Sequence, residues 1–129
     1  MRKVGVVGVG MHPFGKFPDK TLTDMTREVV EAALADAGLE WRQIEAISAG
    51  SSHFSGGMGW GLAGNEIEAA MGLTGVPVYN LSAACATGGS AFTVAHAMVA
   101  GGVHDVMLVV ASEKMPKRVS ISLEVGLTI

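Results

Sequence analysis

The chain carries a single cysteine, Cys85, inside the stretch NLSAACATGGSA at residues 80–91. Ala83, Ala84 and Ala86 flank it, and Thr87, Gly88 and Gly89 follow closely. A thiolate is a strong nucleophile, and neighbours this small let a substrate and the backbone approach it. An apolar run ends just before Cys85 and a helix-forming run begins just after it, so the thiol stands at a strand-to-helix junction. The free N–H groups of a helix's first turn favour negative charge, and with it the reactive thiolate. The same residue also reads as a small buried hydrophobe, the usual fate of a free cysteine. Position alone leaves both readings open.

Other residues capable of chemistry are scattered. His12, His53, His96 and His104 show no metal-binding spacing, and each reads as structural or solvated. One cysteine rules out an intrachain disulfide and a multi-cysteine zinc site, so no metal is expected. Gly8 and Gly10 hint at a dinucleotide loop, but Pro13 stands where the third glycine of G-x-G-x-x-G belongs. Asn80 and Ser82 beside the thiol are explained by turn-type hydrogen bonding as well as by chemistry. Met58 and Trp60 fit packing better than a pocket. The segment SEKM, Ser112 to Met115, follows an apolar strand at the end where α/β proteins place ligands.

The elements that must hold these residues are legible in the pattern. Val4, Val6, Val7 and Val9 read as a first buried strand, and Met11 to Lys20, with Pro13, Gly15 and Pro18, as a loop. A helix follows: Thr21 or Thr23 caps it, Asp24 and Glu28 suit its positive end, and Gly38 stops it. Leu22, Met25, Val29 and Ala33 share its apolar face, and Arg27 and Glu31 can pair at i,i+4. Further strands are expected over 44–49, 76–81 and 105–112, with Pro77 tolerable only at a strand start or edge. A helix is expected over 62–71, after a glycine-rich stretch. Residues 86–100 read as a helix apolar nearly all round and therefore buried on every side. The order β-α-β-α-β-α-β with short connections implies right-handed crossovers and a mostly parallel sheet.

Bulk properties agree with a protein of this kind. The 129 residues suit one domain with a real core, 49% are hydrophobic, and the formal charge of −3 has no basic cluster for nucleic acid. No run of about 18 apolar residues could span a membrane, and the start lacks a signal-peptide pattern. A cytoplasmic protein is the expectation.

Taken together, VYNLSAACATGGSAFTVAHAMVAGGVHDVMLVVASEKM resembles the nucleophile region of the thiolase superfamily, closest to sterol-carrier-type thiolases and related acetyl-CoA acetyltransferases. VGVVGVGMHPFGK, ALADAGLEWRQIEAISAG and AMGLTGVPVYNL extend the similarity in the family's order over residues 1–117. The resemblance implies an α/β thiolase-like N-terminal domain: a mixed, mostly parallel sheet with a buried Cys-bearing helix, half of a layered αβαβα fold. It implies that Cys85 takes an acyl group from acyl-CoA, the substrate, with no separate cofactor, in carbon–carbon bond formation or cleavage within lipid metabolism. It makes Met115 a candidate substrate-binding residue. It also implies a homodimer, through the strand before the nucleophile, or association with a C-terminal half.

The pattern departs from the family after residue 117. Residues 118–129 read as an unmatched tail with strand-like alternation, and the C-terminal thiolase half is expected to be absent. With it go the family's GHP histidine and second cysteine, so residues 1–129 alone are expected to show no thiolase turnover. Two alternatives stay open. One is a retro-aldolase of the same superfamily, working with a small acyl-CoA-binding partner protein; some members of that branch lack the cysteine. The other is a non-catalytic thiolase-like subunit.

Overall fold

The computed structural model describes residues 1–52 and 61–115. Residues His53, Met58 and Trp60, and the tail from 118, lie outside these. Helix α1 spans Leu22–Ala37. Thr21 caps it: its Oγ1 accepts from Asp24 N at 3.0 Å, while Asp24 Oδ2 accepts from Thr21 N at 2.9 Å. This reciprocal box satisfies two donors that the helix leaves free, and such caps contribute about 1 kcal/mol. Gly38 closes the helix at φ 66°, a left-handed position that suits glycine. The buried stripe is Leu22, Thr26, Val30 and Leu34. Met25, Val29 and Ala33, expected to form the face, flank it half-buried. Thr26 can join the stripe because its hydroxyl donates to Leu22 O at 2.8 Å. Arg27 and Glu31 pair at 2.8 Å as their spacing predicts.

Three parallel strands follow: β1 Ala46–Gly50, β2 Val78–Leu81 and β3 Met107–Ala111, in the order β2-β1-β3. Ile47 pairs with Val78 and Leu108, and Gly50 with Leu81 and Ala111. The central strand β1 is buried at every residue, which explains its small, apolar sequence AISAG. Helix α2, Gly64–Met71, packs on β1 and β2 and against α1, while helix α3, Thr87–Gly101, packs on β1 and β3. Alternation along β1 sorts the layers: Ala49 meets Gly64 of α2, whereas Ser48 and Gly50 meet α3. The sheet is thus covered on both faces. Pro77 immediately precedes β2, an edge strand, and its carbonyl accepts from Ile47 N at 3.0 Å. That is the placement its missing N–H requires.

Two expectations are corrected. Residues 4–9 form no strand: Val6, Val7 and Val9 are 65–68% exposed. A strand exists only with a neighbour's N–H and C=O groups in a ladder, and these residues have none among the described residues. A cavity of about 360 Å³, lined by Val4, Val6, Val9, Phe92, Leu108 and Val110 among others, separates them from β3. The segment lies instead along α1, with Val9 N donating to Asp36 Oδ2 at 2.9 Å and Arg2 N to Ala100 O at 2.9 Å. A Cβ at Gly10 would sit 2.1 Å from Val29 O, so only glycine allows that approach.

Helix α3 is not buried all round. Thr87, Ala91, Ala95 and Ala100 are buried, whereas Phe92 is 49% exposed and His96 and Ala97 also face outward. An apolar composition states that cover is favourable, but a single sheet covers one side only. Cys85 itself lies outside the helix, in the 3-10 turn Ala84–Ala86 that precedes it, and is exposed.

Candidate active site

Parallel strands end together. Gly50, Leu81 and Ala111 are in register, so Ser51, Ser82 and Ser112 and the segments after them lie at one edge of the sheet. Cys85 follows β2 at that edge, and Met115 follows β3. The segments are tied to one another: Ser82 Oγ donates to Ser52 O at 3.3 Å, and Ser52 N donates to the Glu113 carboxylate. Gly61 forms an isolated bridge with Glu113. Lys114 Nζ donates to Phe17 O at 3.0 Å and to Lys20 O, fixing the end of β3 against the loop before α1. The fold therefore brings Met115 to the thiol's edge of the sheet, where its side chain is 59% exposed.

The turn that carries Cys85 is built from small residues for a visible reason. Ala84 has φ 47°, the one left-handed non-glycine residue among those described. This conformation costs an L-residue roughly 1–2 kcal/mol, so neighbouring contacts must hold it. Thr87 makes them. Its Oγ1 accepts from Ala83 N at 2.8 Å and donates to Ala84 O at 2.7 Å. Ala86 N donates to Ala83 O at 2.9 Å and completes the turn. Thr87 is buried, and its methyl group rests on Gly50, where an added Cβ would lie 2.8 Å from Thr87 Cγ2. On the same face Ser48 Oγ donates to Ala91 O at 2.8 Å, seating α3 on β1. The hydroxyl of Ser112, at the end of β3, is buried without a hydrogen-bond partner among the described residues.

Asn80 turns out to be structural, its Oδ1 accepting from Gly64 N at 2.8 Å and tying β2 to the start of α2. Glu68 is buried and accepts from Thr74 N at 2.9 Å and Gly75 N at 2.6 Å, which shapes the entry into β2. Those two donors, chiefly Thr74's, hold its carboxyl below the usual carboxylate range.

The described histidines are engaged or distant. His12 Nδ1 lies 2.9 Å from Pro13 O, and its Nε2 lies 3.6 Å from Glu28 Oε2. His104 Nε2 lies 3.2 Å from Tyr79 Oη. His96 is eleven residues along from Cys85, about 16 Å at the helical rise of 1.5 Å per residue. Among the described residues no group of His, Cys, Asp and Glu could hold a metal ion. No described helix is long and apolar enough to cross a membrane.

Chemically, the arrangement presents an exposed thiol on a strained turn, directly before a fifteen-residue helix. Sequence patterns located the thiol but missed Thr87, Gly50 and Ser48. A hydroxyl two residues past the cysteine, at the start of a helix, was the available signal for Thr87. Gly50 and Ser48 carry no such signal, because only packing shows what they touch.

Known proteins resemble this chain in sequence and in fold. The profile of the family described as "Thiolase, N-terminal domain" matches residues 4–124. Sterol carrier protein 2 of Gallus gallus is 35% identical over 118 residues, covering 90% of this chain and 21% of that protein. An acetyl-CoA acetyltransferase of Methanothermobacter thermautotrophicus is 35% identical over 121 residues, 89% of this chain and 30% of that one. A mycobacterial beta-ketoacyl-[acyl-carrier-protein] synthase III of Mycobacterium avium is 38% identical over 105 residues, 81% and 30% of the two chains. The solved structure of 3-oxoacyl-[acyl-carrier-protein] synthase III from Aquifex aeolicus superposes with a TM-score of 0.59. It is 23% identical, covering 72% of this chain and 30% of that one, and shares the fold. The chain thus spans between a fifth and a third of these relatives' length. With the family profile matched over nearly all of its residues, the chain belongs to the thiolase family as an N-terminal domain.

Proposed function

We propose that this chain supplies the nucleophile half of a thiolase-type acyltransferase acting on acyl-CoA. The observation that carries the reading is the exposed Cys85 on its left-handed turn, at the edge where the three strands end. In the proposed step the Cys85 thiolate attacks the carbonyl carbon of the acyl thioester. The new carbon–sulfur bond forms to Cys85, the bond to coenzyme A breaks, and coenzyme A departs as a thiolate that takes a proton. Acyl transfer also needs a base for the thiol proton and donors for the developing oxyanion. His12 and His104 are engaged with other groups and His96 lies further along α3, so in this reading the base comes from a C-terminal thiolase half, as in the family.

The test is acetylation by acetyl-CoA at a pH above the ordinary thiol range, where a thiolate forms without a base, read by peptide mass mapping. The expected result is one acetyl group on Cys85, absent from Cys85→Ser. Acetyl groups spread over lysines, with Cys85 unmodified, would refute the reading. A second donor has an observation behind it: a relative named beta-ketoacyl-[acyl-carrier-protein] synthase III matches at 38% identity. Offering acetyl-CoA and acetyl-acyl-carrier protein side by side separates the two by which donor acetylates Cys85 faster.

A further inference from the structure

We infer that Thr87 is a positioning residue, whose hydroxyl clamps the nucleophile turn in its reactive shape. The inference rests on Cys85 being the nucleophile and adds the part that aims it. Three observations meet at Thr87. Its Oγ1 bridges Ala83 N, at 2.8 Å, and Ala84 O, at 2.7 Å, the peptide groups that bracket the two residues Ala83 and Ala84. Ala84 is the residue held at φ 47°, a conformation alanine disfavours. The side chain is itself fixed, because Thr87 is 6% exposed and its methyl is wedged over Gly50 of the central strand.

The chain of cause is short. β1 has a glycine at its last position, so the Thr87 methyl can sit directly on the strand. A helical threonine has two rotamers open to it, and the one that seats the methyl on the strand here points the hydroxyl back at Ala84 O. With both lone-pair and proton roles used, the hydroxyl holds two peptide groups at once, and between them Ala83 stays at φ −148° and Ala84 stays left-handed. Cys85, the next residue, is thereby turned out to solvent. Without the hydroxyl, Ala84 returns to an ordinary backbone region and Cys85 is re-aimed. Threonine divides into two testable halves: valine keeps the methyl and loses the hydroxyl, while serine does the reverse.

The experiment measures alkylation of Cys85 by iodoacetamide at neutral pH, in the folded chain and in urea, with the thermal midpoint recorded for every variant. Wild type should react faster folded than denatured. Thr87→Val should slow the folded reaction about five- to thirtyfold, the population shift expected when a left-handed alanine loses its support. Thr87→Ser should restore the rate, and so should Ala84→Gly added to Thr87→Val, because glycine takes positive φ unaided. A folded Thr87→Val as fast as wild type overturns the inference, as does a folded Thr87→Ser as slow as Thr87→Val. A folded double variant that stays slow overturns it too. A wild type no faster folded than denatured overturns the nucleophile reading instead, and this inference with it. Amide exchange on the wild type needs no variant: Ala83 N–H should be protected in heavy water, and exchange at the free-peptide rate would overturn the clamp.

Discussion

Gly50→Ala probes the floor of the site. The new Cβ would stand 2.8 Å from Thr87 Cγ2, 3.4 Å from Thr87 O and 3.5 Å from the Ala111 Cβ. Carbon atoms in contact rest at about 3.5–4.0 Å, so the first of these distances forces a shift of roughly 1 Å. Thr87 has two ways to move. Rotating its side chain gives up both Oγ1 hydrogen bonds, each worth about 0.5–1.5 kcal/mol. Lifting α3 off the sheet stretches the 2.8 Å bond from Ser48 to Ala91 and loosens a packed layer, and overpacking of this kind costs about 1–3 kcal/mol. Against this, replacing glycine by alanine in a strand recovers about 0.5–1 kcal/mol of backbone entropy. The net expectation is a loss of about 1–2 kcal/mol, read as a lower urea midpoint at unchanged slope. Gly89→Ala is the matched control, since nothing lies within 4 Å of its added Cβ. In a helix that change should be neutral or stabilise by up to about 1 kcal/mol. The stability cost at Gly50 should come with slower alkylation of Cys85, because the same contact seats Thr87. Gly50→Ala as stable as wild type within about 0.5 kcal/mol, with Cys85 reactivity unchanged, would refute the argument.

Other perturbations test other joints. Gly64→Ala places a Cβ 2.5 Å from Val78 Cγ1 and 2.9 Å from the Ala49 Cβ, so it should destabilise by about 1–3 kcal/mol in the same urea titration. Glu68 and Asp24 have carboxyls held below their ordinary values by hydrogen bonds to Thr74 and Gly75 and to Thr21 respectively. Their stabilising contribution is present above the unfolded-state values near 4 and is lost as pH falls through the lower folded values. Glu68→Gln should therefore lower stability at neutral pH and flatten its acid dependence, and an unchanged pH profile would count against the Glu68 loop. The outward face of α3, with Phe92, and the outer edge of β2, unpaired among the described residues, predict association at micromolar concentration, checked by sedimentation. A cooperative monomer would show both surfaces to be stable in water. Residues 1–129 alone should not cleave acetoacetyl-CoA, and robust turnover would place a working base within this chain.

Local chemistry made much of this protein legible from its residues. The cap at Thr21, one of two threonines the sequence offers, the glycine stop at Gly38 and the Arg27–Glu31 pair depend on neighbours within a few positions. Backbone geometry alone brings those groups together. The parallel β1–β3 core and the strand-to-helix setting of Cys85 were legible too, because apolar runs bounded by turn residues admit few other arrangements. What lay beyond reach depends on partners distant in sequence. The valines at 4–9 have every property of a strand, yet pairing is a property of two segments, and their ladder partner is missing among the described residues. The composition of α3 calls for cover on all sides, but the sheet offers one. Gly50 and Ser48 are unremarkable in sequence and Thr87 shows only a hydroxyl at a helix start, and the stacking of α3 on β1 gives a hydroxyl, a missing Cβ and a buried serine their roles. The residues determined which group could do chemistry; the packing of one helix on one strand decided how that group is held.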